Sequence, residues 1–152
     1  MLTLAITPLN TLFKWRQTIP LRQWLGIYTF AYATIHFGIF IFLDYSLDLS
    51  VLVGAFLEKK FALAGFTAFL LMLPLALTST KGWQKRLGRG WTQLHYLIYP
   101  AAIAAVVHFV WLTKQGVLQP WYFAILLTLL LSMRITPIRK WLSAQNWVPK
   151  IG

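Results

Sequence analysis

The sequence predicts an all-α membrane protein: a bundle of four transmembrane helices, preceded by an N-terminal helical remnant and followed by a cytoplasmic interfacial tail. Three observations carry this. Apolar residues make up 59% of the 152 residues and charged residues only 11%, too few charges for a soluble domain of this length to cover its apolar surface. The apolar residues gather in four runs, each near the ~20 residues that a helix needs to cross about 30 Å of hydrocarbon. Lys and Arg concentrate in alternate connections between the runs, as they do when one side of the chain stays in the cytoplasm.

Taken in order, residues 1–12 are apolar but short and carry Pro8. They lack the basic start and small-residue cleavage site of a signal peptide, so they read as the end of a lost helix or as an interfacial segment. The four spans are 25–43, 61–77, 94–112 and 117–133. Pro74 predicts a local kink near the end of the second. The fourth carries Gln119 and Pro120 at its start. Beyond it, the tail with Arg134, Trp141, Trp147 and Pro149 reads as a cytoplasmic interfacial segment. No repeat, linker or second domain breaks the chain, so residues 1–152 form a single domain.

Eleven of the fourteen Lys and Arg fall in the N-terminal stretch (Lys14, Arg16, Arg22), the second loop (Lys81, Lys85, Arg86, Arg89) and the tail (Arg134, Arg139, Lys140, Lys150). Lys59, Lys60 and Lys114 share the other two loops with all three acids, Asp44, Asp48 and Glu58. Both termini are therefore expected in the cytoplasm. A net charge of +11 raises the question of nucleic acid, but confinement to one face fits anionic lipid headgroups instead. The eight tryptophans divide the same way. Trp15, Trp24, Trp83, Trp91, Trp141 and Trp147 lie at the predicted inner boundary and Trp111 and Trp121 at the outer, as an aromatic belt.

The three histidines, His36, His95 and His108, all lie inside or at the edge of a span, where an ionisable side chain is costly and marks a functional site. His36 is the twelfth residue of the first span and His108 the fifteenth of the third; both spans start inside, so both histidines lie in the outer half. Two histidines at one depth on two helices can ligate a single iron from both sides, and the pair reads as a six-coordinate haem site. The plainer alternative is that each bonds a neighbouring backbone carbonyl and does nothing else.

His95 lies near the inner boundary, thirteen residues before His108, or about 20 Å along an ideal helix. Counting back the same distance from His36 reaches Gln23 or Arg22, neither a standard iron ligand, so His95 would hold an inner haem alone or with an unusual partner. An interfacial histidine bonded to headgroups or loop carbonyls is the alternative. An ideal helix puts His95 and His108 about 140° apart, a phase that Pro100 between them can change.

The stretches RQWLGIYTFAYATIHFGIF (22–40) and LALTSTKGWQKRLGRGWTQLHYLIYPAAIAAVVHFVW (75–111) resemble the MsrQ family, formerly YedZ: the haem-binding membrane subunits of the bacterial methionine sulfoxide reductase system, within the ferric-reductase-like transmembrane superfamily. The resemblance rests on Arg22 and Leu25-Gly26 before His36, on Thr78-Ser79-Thr80 at a helix end, on Trp91-x-x-Leu94-His95, and on the step to His108. It covers about residues 7–141; the chain appears without the family's first helix and most of its second. The resemblance implies electron transfer through b-type haem, one or two groups, in the inner membrane. Electrons would pass from a cytosolic flavin reductase or quinol to a periplasmic molybdenum-containing reductase that repairs oxidised methionine. His36 and His108 match the family's ligand histidines and His95 its third.

The residues agree in one respect. There is no cysteine, which excludes covalent c-type attachment, cysteine-ligated clusters and disulfide exchange. No Gly-rich dinucleotide fingerprint follows a strand, and Leu87-Gly88-Arg89-Gly90 reads as a tight basic turn, so electrons would come from a separate donor. Arg22 and Arg89 are candidates to meet haem propionates or the phosphate of FMN, and Lys81, Lys85 and Arg86 to dock an acidic donor; topology explains these charges equally well. Aromatics such as Phe30, Tyr32, Phe37 and Tyr99 are expected to pack the bundle. Ala101, Ala102, Ala104 and Ala105 would let a helix or flat macrocycle approach. The competing readings are a ferric or quinone reductase subunit, a protein with a histidine-lined proton or metal path, and a noncatalytic anchor.

Overall fold

The computed structural model describes residues 1–13, 19–114, 117–135 and 138. No strand occurs among them. In order they form α1 (Leu2–Phe13), α2 (Ile19–Ile39) with a π-helical turn (Phe40–Asp44), α3 (Leu49–Glu58), α4 (Lys60–Leu77), α5 (Lys81–Leu87), α6 (Arg89–Leu94), a 3₁₀ turn (His95–Leu97), α7 (Ile98–Leu112) and α8 (Gln119–Ser132). The expected tail residues Arg139, Lys140, Trp141, Trp147, Pro149 and Lys150 lie outside the described residues, as do Lys14, Trp15 and Arg16.

Three stretches are long and apolar enough to cross a membrane: Pro20–Asp44, Lys60–Leu77 and Arg89–Leu112. They correspond to the first three predicted spans. The fourth differs: α8 has 14 residues, about 21 Å at a rise of about 1.5 Å per residue, against about 30 Å of hydrocarbon. Its start is set by Pro120, whose fixed φ and missing N–H suit the first turn of a helix but not its interior. Along α2, Tyr28, Tyr32, Ile35, Ile39 and Phe42 are exposed on one face at helical spacing. An apolar outer surface of this kind is stable only against lipid or another apolar partner.

The centre of the bundle is α4, which packs against α7 along its length and also meets α2 and α3. Ala62 and Ala68 of α4 and Ala101 of α7 are buried, and small side chains let two helix backbones approach closely. At the other side, Leu4 of α1 joins Leu127 and Leu130 of α8 in a buried cluster. The N-terminal segment, expected as the end of a helix or as an interfacial segment, is thus helical over Leu2–Phe13 and packs against α2 and α8. Pro8 lies inside α1.

The connection between the first two spans holds a helix that composition alone did not reveal. α3 has too few residues to span, yet Leu52 and Ala55 are buried where it packs on α4. Its N-terminus is capped by Asp48, whose Oδ1 accepts from the Ser50 hydroxyl at 2.6 Å and from the Ser50 and Val51 amides at 2.9 and 3.2 Å. The chain reaches this cap through Ser46 and Leu47 at φ 48° and 61°, a left-handed conformation costly for a side chain as bulky as leucine.

The Ser50 hydroxyl, followed by the Val51 and Ser50 amides, holds the Asp48 carboxyl below its ordinary value. Because the folded value is the lower one, the cap contributes fully above the usual carboxylate range and its contribution fades as pH falls through the lowered value. The protection of α3 amides, taken relative to their intrinsic exchange rate at each pH, is expected to fall below about pH 4. Asp48→Ala should show that lower protection already at neutral pH and no further acid step. Equal protection of α3 in both proteins at pH 7 would contradict the cap.

A histidine-lined candidate cofactor site

Both α2 and α7 pack on α4 but make no extensive contact with each other. His36 of α2 and His108 of α7 reach across this interval, with ring centroids 6.2 Å apart and planes at 73°. The equal depth expected from their positions in the two spans thus becomes direct apposition. An aromatic seam closes the α2–α4 side, where Phe37 stacks on Phe66 and Phe69 at 5.6 and 4.8 Å and Phe30 stacks on Phe69 at 5.5 Å. These aromatics pack the bundle as expected, while Tyr32 faces outward.

The two rings are held differently. His108 Nδ1 lies 2.7 Å from the Phe61 carbonyl oxygen, which can only accept, so Nδ1 carries the proton and donates it. In the neutral ring Nε2 is then a bare acceptor, the state in which imidazole binds a metal. His36 is exposed, and among the described residues no hydrogen bond engages its ring. An imidazole at membrane depth without a polar partner is costly unless something else takes up its lone pair.

His95 occupies a second location. Its Nδ1 donates to the Trp91 carbonyl at 3.0 Å and its ring stacks on the Trp91 indole at 3.9 Å. The indole Nε1–H in turn donates to the Thr78 carbonyl at 2.9 Å. Trp91 was expected to be a boundary anchor; the other described tryptophans Trp24, Trp83, Trp111 and Trp121 are exposed, but Trp91 supports a site histidine. The spacing of four residues on one helix face was the available signal. The 3₁₀ turn from His95 to Leu97 tightens the helix just before Pro100, so the phase of an ideal helix does not apply to His95 and His108.

His95 opens on a cavity of about 520 Å³ lined also by Arg22, Gln23, Gly26, Ala102 and Ala105. Gln23 is engaged by its own bond, donating to the Ser79 carbonyl at 2.8 Å. Arg22 lies within electrostatic reach of Arg134, whose guanidinium donates to the Tyr99 hydroxyl and the Leu4 carbonyl, both at 2.8 Å. The acids Asp44, Asp48 and Glu58 all follow or precede spans at the opposite end, so this basic end suits an anionic group. Arg89 instead opens α6, exposed and away from the cavity lining. The expected tight turn there is two short helices, α5 and α6, meeting at Gly88 with φ 51°.

Among the described residues no three of His, Cys, Asp or Glu gather as a metal site, whereas a bare metal ion takes three or four protein ligands. Two imidazoles suffice for an iron that a macrocycle already holds. Metal–nitrogen bonds of about 2 Å on both sides of one iron place imidazole centroids about 6 Å apart. The donors at His36 and His108, their spacing and the apolar walls therefore fit haem.

Residues 1–106 match the family described as ferric reductase like transmembrane component. The chain is also similar to haem-binding subunits MsrQ of protein-methionine-sulfoxide reductase. That of Xanthomonas campestris pv. campestris (strain B100) is 43% identical over 135 residues, covering 89% of this chain and 62% of the relative. That of Xanthomonas oryzae pv. oryzae (strain MAFF 311018) is 42% identical over 134 residues, 88% of this chain and 62% of the relative. That of Herminiimonas arsenicoxydans is 39% identical over 137 residues, 88% and 63%. The chain thus spans less than two thirds of the length of these relatives. No solved structure matches it.

Proposed function

The chain belongs to the ferric-reductase-like transmembrane family, and from that premise we propose that it carries electrons across a bacterial inner membrane through noncovalently held b-type haem. The observation that carries this is the His36–His108 pair at 6.2 Å, with His108 Nε2 freed by the bond of Nδ1 to Phe61. When bound, haem supplies a one-electron couple. The protein's part is to hold it: His36 and His108 would be the two residues that ligate its iron, a donor set suited to electron transfer. The Phe61 carbonyl fixes the ring of one ligand, and the aromatic seam from Phe30 to Phe69 keeps water away.

The cavity at His95 would take a second haem, with His95 as the residue to ligate it and Arg22, which lines the same cavity, available to a propionate. It lies at the basic end, which the distribution of Lys and Arg assigns to the cytoplasm. Donor electrons would enter there from a cytosolic flavin reductase, with FMN as its carrier, or from quinol. They would leave at the acidic end to a protein-methionine-sulfoxide reductase, the system named in the MsrQ relatives, which the family resemblance implies to be periplasmic and molybdenum-containing. A ferric or quinone reductase would share the haem pair and differ only in the acceptor.

The test is an absorbance spectrum of the purified full chain in detergent, oxidised and then reduced with dithionite, with haem and flavin quantified against protein. Sharp reduced bands of low-spin b haem are expected, at two haems per chain. A protein that stays colourless after production with ample haem would overturn the reading and favour a histidine-lined proton or metal path.

A further inference from the structure

Resting on the reading that His36 and His108 hold a haem, we infer that Gly65 is the positioning residue that seats the His108 ring. A Cβ built on Gly65 would lie 2.6 Å from His108 Nδ1, 2.9 Å from Cε1 and 3.2 Å from Cγ. These atoms belong to a ring held by its own hydrogen bond, 2.7 Å from Nδ1 to the Phe61 carbonyl one turn earlier on α4. The ring therefore lies flat against the α4 backbone at the one place where α4 has no side chain. A methyl group at residue 65 cannot coexist with it, and the ring can move away only by breaking the Phe61 bond.

The seat does two things at once. It fixes the direction in which Nε2 points, toward the interval that His36 enters from α2. It also keeps Nδ1 on a neutral carbonyl acceptor, which sets the ring's tautomer and raises its basicity as an axial ligand. Glycine is frequent in membrane-spanning helices, so what sets Gly65 apart is not its presence in α4 but the ring that fills the place of its side chain. The other spanning-helix glycines show no such approach: a Cβ on Gly26 or Gly38 would meet nothing within 4 Å.

The experiment compares the full chain with Gly65→Ala and Gly38→Ala, each purified with haem, by absorbance and low-temperature EPR. Gly38→Ala should match the parent. Gly65→Ala should lose the six-coordinate low-spin signal of the His36–His108 haem, with haem affinity at that pair lower by about 10- to 100-fold. A double-mutant cycle separates seating from general damage to α4. In the His108→Ala background, where the ring is absent, Gly65→Ala should leave the melting temperature and yield unchanged. If it is as harmful there as in the parent, or if Gly65→Ala alone keeps the parent's EPR signal, the inference is overturned. A parent chain without low-spin haem would instead overturn the haem reading itself, so the two failures are distinguishable.

Discussion

Replacing either His36 or His108 with alanine is expected to abolish the six-coordinate haem signal of the pair, and with it electron transfer through the protein. Neither ring has a substitute: among the described residues no third His, Cys, Asp or Glu joins them. The two variants should nevertheless differ in the haem-free protein. His36 is exposed and makes no hydrogen bond among the described residues, so His36→Ala should leave apo stability within about 0.5 kcal/mol of the parent. His108 gives its Nδ1–H to Phe61, and His108→Ala should cost about 1 kcal/mol more through the lost bond and the space left against α4.

With haem present, both fall further. A ligand at about a thousandfold over its Kd stabilises the folded state by about 4 kcal/mol, and both variants forfeit that at this site. Gln23→Ala is the control, since its side chain is spent on the Ser79 carbonyl and lies outside the histidine pair. Thermal melts read with and without added haem, alongside the reduced spectrum, check the set. Retention of the low-spin signal in both histidine variants would remove the basis of the assignment.

What could be read from the residues and what could not divides along physical lines. Helix rise ties residue number to depth, so the positions of His36 and His108 within their spans were enough to place them level. Whether they face each other depends on how α2 and α7 lean on α4, and no periodicity within one helix reports that. The same limit hid Gly65, an unremarkable glycine until the His108 ring is seen against it. His95 was placed at the inner boundary by the same count, but its phase relative to His108 depends on a 3₁₀ turn, which a uniform pattern of 100° per residue does not contain. α3 was missed because LSVLVGAFLE has only Ser50 and Glu58 as polar residues and is too short to announce a span; only the Asp48 cap marks its start. The length of α8 was overread for the opposite reason: apolar residues 117 and 118 precede Pro120, and hydropathy counts them while the helix does not include them.

His95→Ala is expected to remove one haem of two while leaving the spectrum of the His36–His108 pair in place. The two locations draw on the same helices but share no hydrogen-bond partner: His95 is held by Trp91, which is held by Thr78 at the end of α4, whereas His108 of the pair is held by Phe61 at the other end of α4. Sites without shared partners lose their ligands independently, so haem per chain should fall from about two to about one, and a His36→Ala/His95→Ala chain should carry none. Trp91→Phe refines the point. It keeps an aromatic ring beneath His95 but deletes the Nε1–H that ties the indole to the Thr78 carbonyl, so the inner haem should be retained with weakened affinity rather than lost. If the parent binds a single haem and His95→Ala leaves it untouched, the 520 Å³ cavity does not hold iron. Its apolar walls, Arg22 and His95 would then belong to the entry of electrons from a quinol, and His95→Ala should slow reduction of the outer haem by quinol while leaving its reduction by dithionite unchanged. Haem stoichiometry and the choice of reductant together therefore decide whether the inner half of the bundle stores an electron or only admits one.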